Sequence, residues 1–203
     1  MIDKKRAPTI EELIALPEPS DAQISPAGDY VAYEIRTADW ERNAYHTQIW
    51  LTDVAERNHR PLTGDRQSST SPRWSPDGRR LLFCAEDEGD SVPSLYITSP
   101  SGGEPRKLAE LETGGYHFAW SPDGQFIAYL ATAPESTEQR QDRERDGRVR
   151  VVGERGPSTH LWLVRVADGT GRPLTLGETF HVTGFDWHPA GEALALTACP
   201  TSE

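Results

Sequence analysis

Four short apolar runs punctuate a polar chain: Tyr30–Ile35, Leu81–Ala85, Phe126–Ala131 and Ala193–Ala198. In Gln125-Phe126-Ile127-Ala128-Tyr129-Leu130, residues two apart share a side, the period of an extended strand. Aromatic and β-branched residues crowd these runs, as strands prefer. Each run follows the same kind of turn. Trp-Ser-Pro-Asp-Gly stands at Trp74–Gly78 and Trp120–Gly124, with weaker copies at Ser25-Pro26-Ala27-Gly28 and Trp187-His188-Pro189-Ala190-Gly191. Proline presets φ at the first central position, aspartate favours the next, and glycine takes the left-handed conformation that closes a short hairpin loop. Each motif is therefore predicted to join two antiparallel strands, with the tryptophan near the end of the first.

A third strand follows in each unit: Gln48–Thr52, Ser94–Thr98 and His160–Val164. Turns at Ser101-Gly102-Gly103 and Ala167-Asp168-Gly169 lead to a short fourth strand at Arg60–Thr63, Pro105–Leu108 or Arg172–Thr175. Four antiparallel strands repeated every 40 to 50 residues or so are the signature of a β-propeller blade. Ser25, Ser75, Ser121 and His188 stand 50, 46 and 67 residues apart, so the third unit is the long one. Its extra residues lie in a charged insertion, 134–157, which is nearly devoid of apolar groups and cannot order itself as a core element. We expect a loop there, with Val149–Val152 as a strand end, and long loops often contact a partner or substrate. The fold expected is all-β: an incomplete β-propeller of about three and a half four-stranded antiparallel blades (21–66, 67–112, 113–178 and the half blade 179–203), with a short N-terminal helix in an arm over 1–20. Thr9 and Glu12 have the spacing of a capping box, and Pro17 and Pro19 stop the helix. Its Ile10, Leu13, Ile14 and Leu16 side should pack on the propeller or on a neighbouring domain.

Composition narrows the function. With 21 basic and 32 acidic residues the formal charge is −11, which argues against a basic face for nucleic acid or anionic membrane. Neither a secretory leader nor an apolar window of membrane-spanning length is seen. Cys84 and Cys199 are expected as two reduced, buried thiols, consistent with a cytoplasmic location.

The search for chemistry yields little. A nucleophile elbow needs G-x-S-x-G between a strand and a helix; Gly89-Asp90-Ser91-Val92-Pro93 lacks the last glycine and reads as a loop. His46, His59, His117, His160, His181 and His188 include no pair at helical zinc-protease spacing. His188 stands where other units have the turn serine and is read as a cap on its turn. Gly102-Gly103 and Gly114-Gly115 read as turn glycines, not a phosphate cradle. Asp77 and Asp123 resemble paired catalytic carboxylates, yet they hold equivalent turn positions in different units. Trp74, Trp120 and Trp187 share one register and read as inter-blade core. No catalytic, cofactor-binding or metal-binding residue is therefore assigned, and no cofactor is expected.

The order of a Thr9–Leu16 helix, Ser-Pro-x-Gly and Trp-Ser-Pro-Asp-Gly turns, and a charged Arg140–Arg150 stretch running into His160-Leu161-Trp162-Leu163-Val164 resembles the N-terminal part of the prolyl oligopeptidase family of serine peptidases, nearest its acylaminoacyl-peptidase-like branch. The resemblance covers almost the whole chain. It implies a propeller of about seven blades that restricts access to a Ser-Asp-His triad in a separate hydrolase domain. No triad position matches here, so the function expected is a substrate-gating propeller fragment without catalytic groups; the alternative is a non-enzymatic scaffold for protein–protein binding. The expected partners are the missing blades and the hydrolase domain, or a second copy meeting the open edges. An unclosed ring is expected to be marginal and prone to associate.

Overall fold

The computed structural model describes residues 6–64, 68–86, 92–111, 117–132, 158–177 and 180–200. Fourteen strands and one helix lie among them. β1 (Glu18–Ile24), β2 (Tyr30–Asp39), β3 (Ala44–Asp53) and β4 (Asn58–Pro61) form the first sheet in sequence order. β5 (Ser68–Trp74), β6 (Leu81–Glu86), β7 (Ser94–Thr98) and β8 (Arg106–Glu110) form the second; β9 (Phe118–Trp120), β10 (Phe126–Thr132), β11 (Thr159–Arg165) and β12 (Gly171–Pro173) form the third. β13 (His181–Trp187) and β14 (Leu194–Cys199) make a two-stranded fourth. Every pairing is antiparallel. The chain is all-β in blades, with β1 opening at Glu18, inside the stretch expected to be arm. The 134–157 insertion with Val149–Val152, the loop at Gly89–Ser91 and Gly114-Gly115 lie outside the described residues.

The alternation in the strands decides which blade each side chain meets. In β6, Leu81, Phe83 and Ala85 join Ala32, Ile49 and Leu51 of the first blade, while Leu82 and Cys84 join Phe118, Trp120 and Ile127 of the third. In β10, Ala128 and Leu130 turn the other way, onto Val182 and Phe185 of the fourth. The core is thus three inter-blade layers rather than one centre. Second strands covered on both sides are wholly apolar and buried, as in Leu81–Ala85. An aromatic pair sits at the same register in blades two and three: Phe83 on Tyr96 and Tyr129 on Trp162, with ring centroids 5.8 and 6.3 Å apart.

The turns have the expected chemistry. Gly28, Gly78, Gly124 and Gly191 have φ between 68° and 79°, and each amide donates to the carbonyl three residues back. The conformation alone would favour glycine. Space is not the reason: a Cβ on Gly78, Gly124 or Gly191 would meet Pro26, Pro76 or Pro122, the turn proline of the preceding blade, at an ordinary contact distance of 3.5 to 3.6 Å. The motif therefore stacks on itself around the propeller.

One expectation fails, the burial of Cys199, and one is narrowed. The helix α1 (Ile10–Ile14) forms with its capping box intact, Thr9 Oγ1 accepting from the Glu12 amide and Glu12 reaching back to Thr9. Yet Ile10 is 72% exposed and Leu16 59%, so its apolar side does not pack on the propeller. Of the two surfaces expected for that side, the neighbouring domain is the one left. Both cysteines are free, but only Cys84 is buried; Cys199, on β14 of the two-stranded sheet, is exposed.

Candidate functional site

The first strand of each blade carries a repeated set of contacts. Trp74 Nε1 donates to the Gln23 carbonyl (2.9 Å), Trp120 Nε1 to Arg73 (3.1 Å) and Trp187 Nε1 to Ala119 (3.4 Å). The acceptor always lies one residue nearer the N-terminus than the tryptophan's equivalent in the preceding blade. First strands therefore touch first strands, which places β1, β5, β9 and β13 innermost. The reading of these tryptophans as inter-blade core holds. In the first blade the position is Ile24, 70% exposed.

Between blades one and two the inner edge is polar. Asp21 pairs with Arg73 at 2.7 Å, and Glu34 accepts from the Ser71 amide at 2.7 Å and the Ser20 hydroxyl at 2.8 Å. Asp21 and Ser71 have φ of 42° and 58°, and each sits where its strand's pairing register slips. Non-glycine residues in the left-handed region cost energy and persist only where surroundings hold them. Here the Asp21–Arg73 pair and the Glu34 carboxylate do so. No sequence pattern singled out these four residues.

A second repeat runs along the outer strands. Arg60 in β4 donates to the Pro100 carbonyl of blade two, and Arg106 in β8 donates to the Val166 carbonyl of blade three at 2.5 Å. The arginine of the fourth-strand segments, Arg60 in Arg-Pro-Leu-Thr and Arg106 in Pro-Arg-Lys-Leu, was the visible signal for this clamp, though its partner was not. The threonine of the same segments locks its own blade: Thr63 Oγ1 accepts from the Ile49 amide (3.0 Å) and Thr175 Oγ1 from Leu161 (2.9 Å).

The candidate carboxylates build turns. Asp77 accepts from the Ser75 hydroxyl (2.6 Å) and the Arg79 amide (3.1 Å); Asp123 accepts from Ser121 (2.5 Å) and the Gln125 amide (3.0 Å). The serine hydrogen bond comes first in holding each carboxyl below its ordinary value of 3.8. In the first blade Ala27 takes the aspartate's place, and Asp29 holds Ser25 instead, at 2.6 Å. His188 caps its turn as expected, Nδ1 accepting from the Ala190 amide at 3.2 Å.

Three histidines meet other groups where blades three and four abut. His160 is buried, its Nδ1 3.4 Å from Thr175 Oγ1, and its ring stands edge-on to Phe180. His181 Nδ1 accepts from the Thr159 amide at 3.2 Å, and His117 lies 4.7 Å from Phe185. Burial is the main cause that lowers the His160 pKa. Among the described residues no group of three or more His, Cys, Asp or Glu is placed to hold a metal ion. No helix among them is long and apolar enough to cross a membrane.

These titrations set an acid response. A histidine held neutral by burial binds fewer protons folded than unfolded, so stability falls as pH drops below its ordinary value of 6.5. Asp77 and Asp123 bind fewer protons folded as well, so their contribution is present above 3.8 and disappears below it. The midpoint of urea unfolding should therefore decline from pH 7 to 5 and again below 4. Asp123→Asn should flatten the second decline and cost about 1 kcal/mol at pH 7 through its lost hydrogen bonds. A midpoint flat from pH 7 to 3 would contradict this.

An open cleft of about 620 Å³ lies beside the β2–β3 hairpin, lined in part by Thr37, Asp39, Trp40, Arg42 and His46. Asp39 is occupied there with the Glu41 and Arg42 amides, while Trp40 is 58% exposed at the hairpin tip.

Four-stranded antiparallel sheets, joined first strand to first strand, define the class: this is β-propeller architecture. The TolB protein of Acinetobacter baumannii superposes on 92% of the chain, with 39% of its own length covered, a TM-score of 0.56 and 18% identity. An acylaminoacyl peptidase in complex with Z-Gly-Gly-Phe-chloromethyl ketone superposes on 91% of the chain and 28% of its own, with a TM-score of 0.67 and 16% identity. In sequence, the chain is 34% identical over 191 residues to the Uncharacterized peptidase YuxL of Bacillus subtilis, a match covering 87% of this chain and 29% of that protein. No protein-family model matches. The chain is homologous to part of the YuxL protein, of which it spans less than a third, and it shares the propeller fold of the solved peptidase structure.

Proposed function

We propose that the chain is the N-terminal propeller portion of a prolyl-oligopeptidase-type serine peptidase and acts there as a substrate gate. In this reading hydrolysis is carried by a part of the protein outside the propeller. The observation that supports it most is the sequence match to a peptidase over 87% of this chain but only 29% of that relative. The exposed apolar side of α1, with Ile10, Leu13 and Leu16, fits the same reading. Such a side is a contact for a neighbouring domain, since isolated apolar faces of this kind seldom face water without a role. The stitched blades supply the stiffness a gate requires. The substrates proposed are short peptides, the only ones a narrow propeller opening admits. Two free thiols suit a reducing compartment, and we assign the protein to the cytoplasm on that ground.

The test is made on the protein that contains this propeller together with whatever follows it. It should cleave a short acyl-peptide or aminoacyl-nitroanilide and spare an unfolded protein of the same local sequence. The 203-residue chain alone should cleave neither. Cleavage by the isolated chain would overturn the absence of catalytic groups, and equal cleavage of short and long substrates by the larger protein would overturn the gate. A larger protein without hydrolytic activity would favour the scaffold reading.

A further inference from the structure

The threonine lock along the third strand is built twice, and one position separates the copies. In blade one the Ile49 amide donates to Thr63 Oγ1 and the Ile49 carbonyl accepts from the Leu62 amide; in blade three Leu161 makes the same two bonds with Thr175 and Leu174. The residue before each differs. Gln48 donates from Nε2 to the Gly64 carbonyl at 3.2 Å, and its counterpart in blade three is His160, which has the Gly177 backbone as a hydrogen-bond partner. In blade two that position is Ser94, which is buried. Of the three equivalent residues, only His160 can change its charge near neutral pH.

Blade three carries a second histidine in the same lock. Beyond Thr175 the chain crosses to blade four, and His181 at the start of β13 accepts from the Thr159 amide through Nδ1 at 3.2 Å. Both imidazoles do this work only when neutral. Thr175 Oγ1 already accepts from the Leu161 amide, so its own proton is left for His160 Nδ1, 3.4 Å away. A proton on His160 Nδ1 would face that hydroxyl donor to donor. A proton on His181 Nδ1 would take the lone pair that holds Thr159. His160 is buried, with Ala131 opposite it in β10 and Phe180 edge-on to its ring. Among the described residues His181 is the titratable group that acts on it, and Cys199 stands opposite His181 in β14. Glu178 lies outside the described residues. Burial holds His160 below its ordinary value of 6.5, the Gly177 hydrogen bond works against this, and the charge on His181 adds to it.

We propose that His160 and His181 form a proton-sensitive latch: on mild acidification it releases the crossover from blade three to blade four, while the seam between blades one and two stays closed. Release frees the Thr159 and Leu161 amides from their side-chain acceptors and lets the rings take up protons that the closed latch excludes. The open form therefore binds more protons than the closed one, and opening grows as pH falls below 6.5. For His160 alone this favours opening about five- to tenfold more at pH 5.5 than at pH 7. The event is local and precedes the fall in overall stability. It presupposes the propeller architecture and no peptidase activity.

Amide hydrogen exchange of the 203-residue chain, followed residue by residue by NMR and corrected for the intrinsic effect of pH, tests the latch. From pH 7 to pH 5.5 the protection of Thr159 and Leu161 should fall about five- to tenfold. Ile49, held by the same threonine lock without a histidine, should change less than about twofold. His160→Gln installs the residue that blade one uses. It should keep Leu161 protected at pH 7 and remove most of the pH dependence, with circular dichroism checking that the variant is folded. A measurement on the unaltered chain stands beside it: the Cε1 proton of His160 should titrate with a midpoint below 6.5. Protection of Thr159 and Leu161 that does not fall would overturn the proposal. So would an equal fall at Ile49, because the propeller would then loosen as a whole, or a fall at Leu161 that survives His160→Gln. A His160 midpoint at or above 6.5 would do the same. None of these outcomes touches hydrolysis by the larger protein, which tests the peptidase reading separately.

Discussion

Trp120→Ala is expected to remove about 3–5 kcal/mol of stability, the cost of truncating a large buried aromatic. That is a large share of the roughly 5–15 kcal/mol available to a typical domain. Trp120 is 8% exposed and belongs to the layer between blades two and three, where it meets Leu82, Cys84 and Ile127. Its indole donates to the Arg73 carbonyl, and the Arg80 guanidinium lies 5.1 Å from the ring centroid. Alanine would leave a void, an orphaned carbonyl and a displaced arginine. Trp120→Phe keeps most of the apolar volume and should cost less, about 1–2 kcal/mol, chiefly from the lost hydrogen bond. The control is Trp40→Ala, since Trp40 is 58% exposed on a hairpin tip and its removal should stay within about 0.5 kcal/mol. Urea unfolding followed by circular dichroism separates the three. A Trp120→Ala protein as stable as the Trp40→Ala protein would show that the seam is not held by its tryptophans.

The second large effect is a difference in thiol reactivity. Burial, with a smaller contribution from Glu86, pushes the Cys84 thiol from its ordinary value of 9.0 up to about 12. At pH 8 only about one Cys84 in ten thousand is then a thiolate, the reactive form. Cys199 is exposed on β14. A disulfide reagent at pH 8 should modify one thiol rapidly and the other more than about a thousandfold more slowly, at a rate set by opening of the blade. Mass spectrometry of tryptic peptides identifies which is which. A raised thiol value also signs the alkaline response. Cys84 stays protonated in the folded state while the unfolded chain ionises, so its contribution is complete below pH 9 and is lost as pH rises toward 12. Equal labelling of both cysteines would mean that the layer between blades two and three is not closed in solution.

Much of this arrangement is legible in the residues. The Ser-Pro-Asp-Gly segments force a turn through local conformation alone, and all four copies form it, including the one with His188 in the serine's place. Alternation within Leu81–Ala85 and Phe126–Ala131 announces strands, and the repeat announces blades. The carboxylates Asp77 and Asp123 were readable as turn formers because equivalent positions in a repeat share a structural role. The polar inner edge was not readable. Asp21, Glu34, Ser71 and Arg73 come from three strands, and their association depends on two register slips that no local preference encodes. The clamp of Arg60 on Pro100 spans 40 residues and that of Arg106 on Val166 spans 60, distances over which a sequence shows only that the arginine recurs.

The sequence by itself determined the blade: turn, strand period and repeat length are local properties, set by backbone sterics and by which residues alternate. Burial that depends on a neighbour was not legible in the same way. Nothing in Ile10, Leu13 and Leu16 says which surface lies opposite them, and nothing in Cys199 says that it is exposed. Only the tertiary structure decided those, because exposure is a property of what packs alongside. For the same reason the tertiary structure alone showed that Ile24 stands uncovered in a register the other blades fill with tryptophan.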